Sequence, residues 1–242
     1  MVSVILRNSM LFAGIDVGVK NLCWCIIDTE VWKQYQKEPE NRNPGIVAWK
    51  NVNLIESKYC EGCYKSGAKK GEICGRLASF YSGKKEHFWC GTHKVEESKK
   101  YKQLNSKSKP VGEILKIAFE LLDQEPLFAN VTSIAIELQL KKNPTMKRMS
   151  NALEAYFILR YKMCENPILK TVKYSTARGK LKVYKGDPIF SPKKGYAGIK
   201  DTAMLHTCKM LENCDILEEL YKPHKKKDDL ADSFLHCVGS IK

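Results

Sequence analysis

The chain has 242 residues, 43% of them hydrophobic, as is ordinary for a soluble globular protein with one main core and room for a small accessory module. No run of about 18 apolar residues occurs, and the stretch from Met1 to Phe12, interrupted by Arg7 and Asn8, lacks a cleavage-site pattern; a soluble, non-secreted protein is therefore expected. With 41 Lys+Arg against 27 Asp+Glu, the formal net charge of +14 calls for a polyanionic partner, and charge alone does not choose between nucleic acid and an anionic membrane surface.

Along the chain, apolar runs predict strands at Leu11–Ile15, at Leu22–Ile27 and, with alternation, at Gly45–Ile55, the first turn being Asp16-Val17-Gly18. From Ser57 to about Val95 the pattern breaks into a Lys-, Gly-, Cys- and His-rich stretch, expected to be an inserted module spanning 57–96. After a linker near 99–109, Val111, Ile114, Leu115, Ala118, Leu121 and Leu122 recur at helical spacing until Pro126 stops the helix. A strand at Val131–Leu140, a helix at Met146–Met163 and a strand at Ile168–Tyr174 follow. Residues 175–197 read as a basic surface loop, and Ile199–Leu211 and Asp229–Ile241 as helices. The order predicts an α/β domain over 1–242 interrupted by the insertion.

Four carboxylates stand out. Asp16 ends a hydrophobic strand beside a glycine, where a phosphate can approach the backbone closely. Glu137 lies inside an apolar strand and shares a face with Ala135 and Gln139; a carboxylate there is costly to bury alone. Asp229 and Asp232, three apart in a helix, share one face, with Asp228 as a substitute. Taken singly, each is more simply a cap, a turn residue or a solvated charge. Together they suit phosphodiester hydrolysis, which needs hard oxygen ligands for Mg²⁺ or Mn²⁺.

At these residues the chain resembles a family. GIDVGVKNL is similar to the first motif of the RuvC-like Holliday junction resolvases. IAIELQLKKNPTMKRMSNALEAYF is similar to the second, with Glu137 at the catalytic glutamate, and DDLADSFL to the closing aspartate pair at Asp229 and Asp232. The poxvirus-type resolvases of large DNA viruses look nearest. The resemblance implies an RNase H-like fold (a mixed central sheet flanked by helices) and a homodimer. It also implies two Mg²⁺ per active site, Mn²⁺ being an alternative, held by Asp16, Glu137, Asp229 and Asp232. The activity implied is paired nicking of a four-way DNA junction in recombination and repair, and the location the cytoplasm or a viral replication site. Lys200 takes the place of a basic residue that often opens the penultimate helix in the family. GIDVGVKN is also similar to the phosphate-binding turn of actin-like ATPases, which need two large lobes that this length does not supply.

Of ten cysteines, Cys23, Cys25, Cys164, Cys208 and Cys237 lie in apolar or helical contexts and are expected to be buried thiols. Cys60-x2-Cys63 and Cys90-x2-His93, with 26 residues between, match two knuckles of a tetrahedral structural Zn²⁺ site, with Cys74 able to replace Cys60 or Cys63. Lys20, Lys141, Lys142, Lys147, Arg148 and Lys200 are candidate DNA contacts, and Lys180 with other lysines of the later loop could track phosphates. Alternatives are an RNase H-like nuclease for another branched or hybrid substrate, and a non-catalytic, zinc-stabilised DNA-binding protein.

Overall fold

The structure is a computed structural model that describes residues 10–38, 40–84, 86–101, 109–139 and 143–241. In chain order its elements are β1 (Leu11–Val17), β2 (Asn21–Asp28), α1 (Thr29–Lys37), β3 (Ile46–Asn53), β4 (Phe80–Ser82), β5 (His87–Trp89), β6 (Lys99–Lys100), α2 (Val111–Asp123), β7 (Val131–Glu137), α3 (Pro144–Phe157), β8 (Thr171–Ser175), α4 (Ala177–Leu181), α5 (Gly195–Met210) and α6 (Lys227–Val238). They fall into two compact units, Met1–Leu54 with Val111–Lys242, and Ile55–Pro110. Among the described residues no helix is long and apolar enough to cross a membrane.

The larger unit is built on a five-stranded sheet of order β3-β2-β1-β7-β8. β1 pairs antiparallel with β2 and β2 with β3, whereas β1 pairs parallel with β7 and β7 with β8. This is the mixed α/β sheet flanked by helices that the motifs imply. Both faces are covered, which is why β2 reads as a nearly unbroken apolar run. Cys23, Cys25 and Trp49 join a core with Leu230, Phe234 and Leu235 of α6, while Trp24 meets Phe128, which in turn meets Phe157 of α3. Gly14 sets how closely α6 approaches β1. A Cβ there would lie 2.2 Å from the Ser233 carbonyl oxygen and 2.3 Å from the Cys237 nitrogen, so a larger residue would push the helix away.

Three features depart from the sequence expectations. α1 was not anticipated: the Asp28 carboxylate caps it by accepting from the Glu30 and Val31 amides at 3.1 and 3.3 Å, and it buries Trp32 and Tyr35. α4 sits inside the expected surface loop, capped by the Thr176 hydroxyl. Cys164 is exposed rather than buried.

The smaller unit holds a three-stranded antiparallel sheet of order β5-β4-β6 and isolated bridges pairing Tyr59 with Leu77 and Cys63 with Ile73. Among its described residues the buried side chains are Ile55, Cys60, Ala78, Ser82 and Cys90. So small an apolar set cannot by itself offset the entropy of ordering the segment.

Candidate active site and metal centre

Asp16 and Glu137 stand at the same end of two neighbouring parallel strands, just beyond the Ile15–Ile136 pair. Alternation puts both on one sheet face, the one covered by α6, since Asp16 pairs across the sheet with Cys23 of that core. Burial raises the Asp16 pKa well above the ordinary carboxylate range, the charges of Glu137 and Asp232 push it further, and a hydrogen bond with Glu137 and the charge of Asp229 act in the same direction. Four carboxylates thus feel one another in a partly desolvated place, an arrangement that a cation relieves.

Each of the others is held separately. Glu137 accepts from the Gln139 amide at 2.7 Å. Asp229 Oδ2 accepts from Asn21 at 3.0 Å and Asn51 at 3.3 Å. Asp232 Oδ2 lies 2.6 Å from the Lys180 ammonium, both side chains being buried. Burial, outweighing Lys180, raises the Asp232 pKa to about 6, and Glu137 adds to it. Its other oxygen, Oδ1, is buried without a hydrogen-bond partner among the described residues. A buried acceptor left open beside two more carboxylates fits a divalent cation. Asp228 turns elsewhere: it meets the Lys200 ammonium at 2.5 Å, which holds its pKa below the usual value against the opposing effect of burial.

The basic residues divide. Lys20, Lys147 and Arg148 are exposed, whereas Lys141 and Lys142 lie outside the described residues. Lys200 is half-buried, bound to Asp228, with its ammonium 5.4 Å from the centre of the Tyr196 ring. Lys180 is corrected most: it does not track phosphate on a surface loop but points inward, because α4 turns it onto Asp232. One turn beyond Asp232, buried His236 places Nδ1 2.9 Å from the Ser175 hydroxyl. Burial, then Lys180, lowers its pKa to about 3, so the ring stays neutral. Sequence reasoning did not place Asn51, Lys180 or His236 among the carboxylates; the Thr176 cap was the available sign that Lys180 belongs to a helix.

In the smaller unit Cys60, Cys74, Cys90 and His93 bring their ligand atoms within 4.8 Å of one another. Cys60 Sγ is 3.4 Å and Cys90 Sγ 3.6 Å from His93 Nδ1, and the Cys74 and Cys90 sulfurs are 3.9 Å apart. Of the alternatives that the sequence left open, Cys74 stands in this group, and Cys63 is exposed and outside it. The backbone explains why. The Cys60 amide bonds to the Arg76 carbonyl at 2.7 Å, the Cys74 amide to that of Gly62 at 2.7 Å, and Cys63 bridges to Ile73. In extended pairing, residues three apart face opposite ways, so Cys60 and Cys63 cannot converge as a knuckle would require. Gly62 leaves room for His93, whose Cβ would lie 2.7 Å from any Cβ added there. The Arg76 guanidinium, 3.2 Å from Cys74 Sγ, lowers that thiol's pKa to about 6 and favours the ligating thiolate. Three sulfurs and one imidazole form a donor set that suits Zn²⁺.

No protein-family model matches the chain. An uncharacterized protein of Acanthamoeba polyphaga mimivirus is 28% identical over 191 residues, which cover 69% of this chain and 46% of that protein. The chain thus spans about half the length of this curated relative. Similar solved structures include the yeast mitochondrial Holliday junction resolvase Ydc2, with 18% identity and a TM-score of 0.45 over 99% of this chain and 82% of that one. Thermus thermophilus RuvC in complex with a Holliday junction substrate gives 10% identity and a TM-score of 0.43, covering 95% and 91% of the two chains. The fowlpox virus resolvase with junction DNA gives 14% and 0.39, covering 96% and 97%.

Proposed function

We propose that this protein is a divalent-metal-dependent endodeoxyribonuclease that resolves four-way DNA junctions by paired nicks, acting as a homodimer. The observation that carries the proposal is the placing of Asp16 and Glu137 at the same end of neighbouring parallel strands, on the face covered by the helix of Asp229 and Asp232, with Asp232 Oδ1 buried and without a partner among the described residues. The motif resemblance and the net charge of +14 support a nucleic-acid substrate.

Asp16, Glu137, Asp229 and Asp232 would hold Mg²⁺ or Mn²⁺. Such ions supply positive charge that activates water and stabilises the leaving oxygen. The chain's own part is preorganisation. Asn21 and Asn51 fix one oxygen of Asp229, Gln139 fixes Glu137, and Lys180 neutralises Asp232 without solvent, so the carboxylates need not rearrange when substrate arrives. Two copies related by a two-fold axis suit a substrate with two equivalent strands. In the insertion, 57–96 in the sequence reading, Cys60, Cys74, Cys90 and His93 would bind structural Zn²⁺.

Incubating the protein in Mg²⁺ with a synthetic four-way junction and a matched linear duplex tests this. Symmetric nicks confined to the junction, slowed at least about a hundredfold in Glu137→Gln, are expected. Equal cutting of both substrates would remove junction selectivity; binding without cutting in either Mg²⁺ or Mn²⁺ would leave a non-catalytic DNA-binding protein.

A further inference from the structure

The loop before α5, the first turn of α5 and the segment before α6 carry a feature that the carboxylates do not use. Phe190 and Tyr196 are 75% and 73% exposed. An exposed ring on a loose loop would mean little, but Tyr196 stands in the first turn of α5 and the loop that carries Phe190 is fastened on both sides of it. His206 donates to the Ile189 carbonyl at 3.1 Å, the Ser191 amide donates to the Thr202 hydroxyl at 3.1 Å, and Lys193 pairs with Asp201 at 2.7 Å. The backbone is thus tied down while the ring is held out in water, at the cost of leaving a large apolar surface solvated. Tyr196 lies under the Lys200 ammonium, and Lys200 in turn grips Asp228, the neighbour of Asp229. Lys200 and Asp228 also line a cleft of about 590 Å³, together with Lys222, His224, Lys225 and Lys227.

We infer that this cleft and the two rings bind an unpaired stretch of nucleic acid strand, bases stacking on Tyr196 and Phe190 and phosphates running along Lys222, Lys225 and Lys227. The inference rests on the nuclease proposal for the identity of the polymer. The chemistry narrows it to unpaired strand: in a continuous duplex both faces of each base are already stacked, so flat exposed rings find partners only where bases are splayed, as at a branch point. Lysines beside the rings supply sequence-independent attraction for the backbone. Lys200 then links the Tyr196 end of α5 to the helix that carries Asp229, so a strand held there enters beside the candidate site.

Fluorescence anisotropy with labelled single strand, linear duplex and four-way junction tests the inference without requiring cleavage. Tyr196→Ala and Phe190→Ala are each expected to weaken single-strand and junction binding about tenfold and to leave duplex binding nearly unchanged, with Tyr196→Phe and Phe190→Tyr restoring affinity. Lys225→Ala is expected to weaken binding to all three and to lower the salt dependence. Alanine variants that bind single strand and junction like the unaltered protein, or that lose duplex binding equally, would overturn the inference. Ring-dependent binding by a protein that cuts nothing would preserve it and remove the nuclease proposal; junction cutting with ring-independent affinity would do the reverse.

Discussion

Under opposite conditions, the two units gather side chains of the kinds that can ligate a metal. The sheet unit has a large apolar core on both faces, and its carboxylates sit at the edge of that core, where burial and neighbouring charges work against the ionised forms of Asp16 and Asp232. The smaller unit has few buried side chains, two of which, Cys60 and Cys90, belong to its ligand set. In the first, stability supplied elsewhere is used to hold unfavourable charges together; in the second, the ligands themselves are a large part of what can be buried. A cation therefore has different consequences in each: relief of repulsion in a folded site, and order itself in the other.

The largest effect expected from this contrast is the loss of zinc. Structural Zn²⁺ in small finger-like modules carries apparent binding energies of about 10–16 kcal/mol, so chelation or Cys74→Ser should unfold the smaller unit while the sheet unit keeps its slow hydrogen exchange. Cys63→Ser is the sharpening variant. It should retain one zinc per chain by elemental analysis, and loss of zinc there would return Cys63 to the ligand set.

Next in size is the buried pair in the sheet unit. Lys180→Ala strands Asp232 without its partner and should cost about 3–5 kcal/mol in denaturant unfolding. A change within error would mean that the lysine does not hold Asp232 in solution.

Smaller, and opposite in sign, is the effect of removing a repelling charge. Asp16 and Asp232 have folded pKa values above the ordinary 3.8, so the folded protein binds protons that the unfolded chain has already released. Stability of the metal-free protein should therefore fall as pH rises from about 4 through 6 and beyond. Asp16→Asn should flatten that slope and raise the melting temperature at neutral pH by a few degrees, roughly what 1 kcal/mol gives in a chain of this size. Chelation must spare zinc, or the two units are confounded. A melting temperature that falls in Asp16→Asn would show that its charge is not opposed by its neighbours.

What the sequence disclosed follows the same division. Asp16 and Glu137 were legible because each interrupts or ends an apolar strand run, and Asp229 with Asp232 because helical spacing puts them on one face. The mixed sheet was legible from its strands and helices. Lys180 was not, since among Lys182, Lys185, Lys193 and Lys194 nothing in composition marks the one lysine that a short capped helix turns inward. The choice between Cys63 and Cys74 was left open by the sequence because a Cys-x2-Cys spacing says nothing of whether the backbone between is turned or extended. α1 was hidden by its polar surface, although Asp28-Thr29-Glu30 is a helix start.

The most direct test of the account is to measure both metals on one sample. After dialysis against metal-free buffer, the protein should retain one zinc per chain, and titration calorimetry should then show Mn²⁺ binding that Asp16→Asn and Glu137→Gln abolish while the zinc content stays unchanged. Mn²⁺ binding that survives both substitutions, or zinc that leaves with them, would contradict the separation of a catalytic carboxylate site from a structural thiol site.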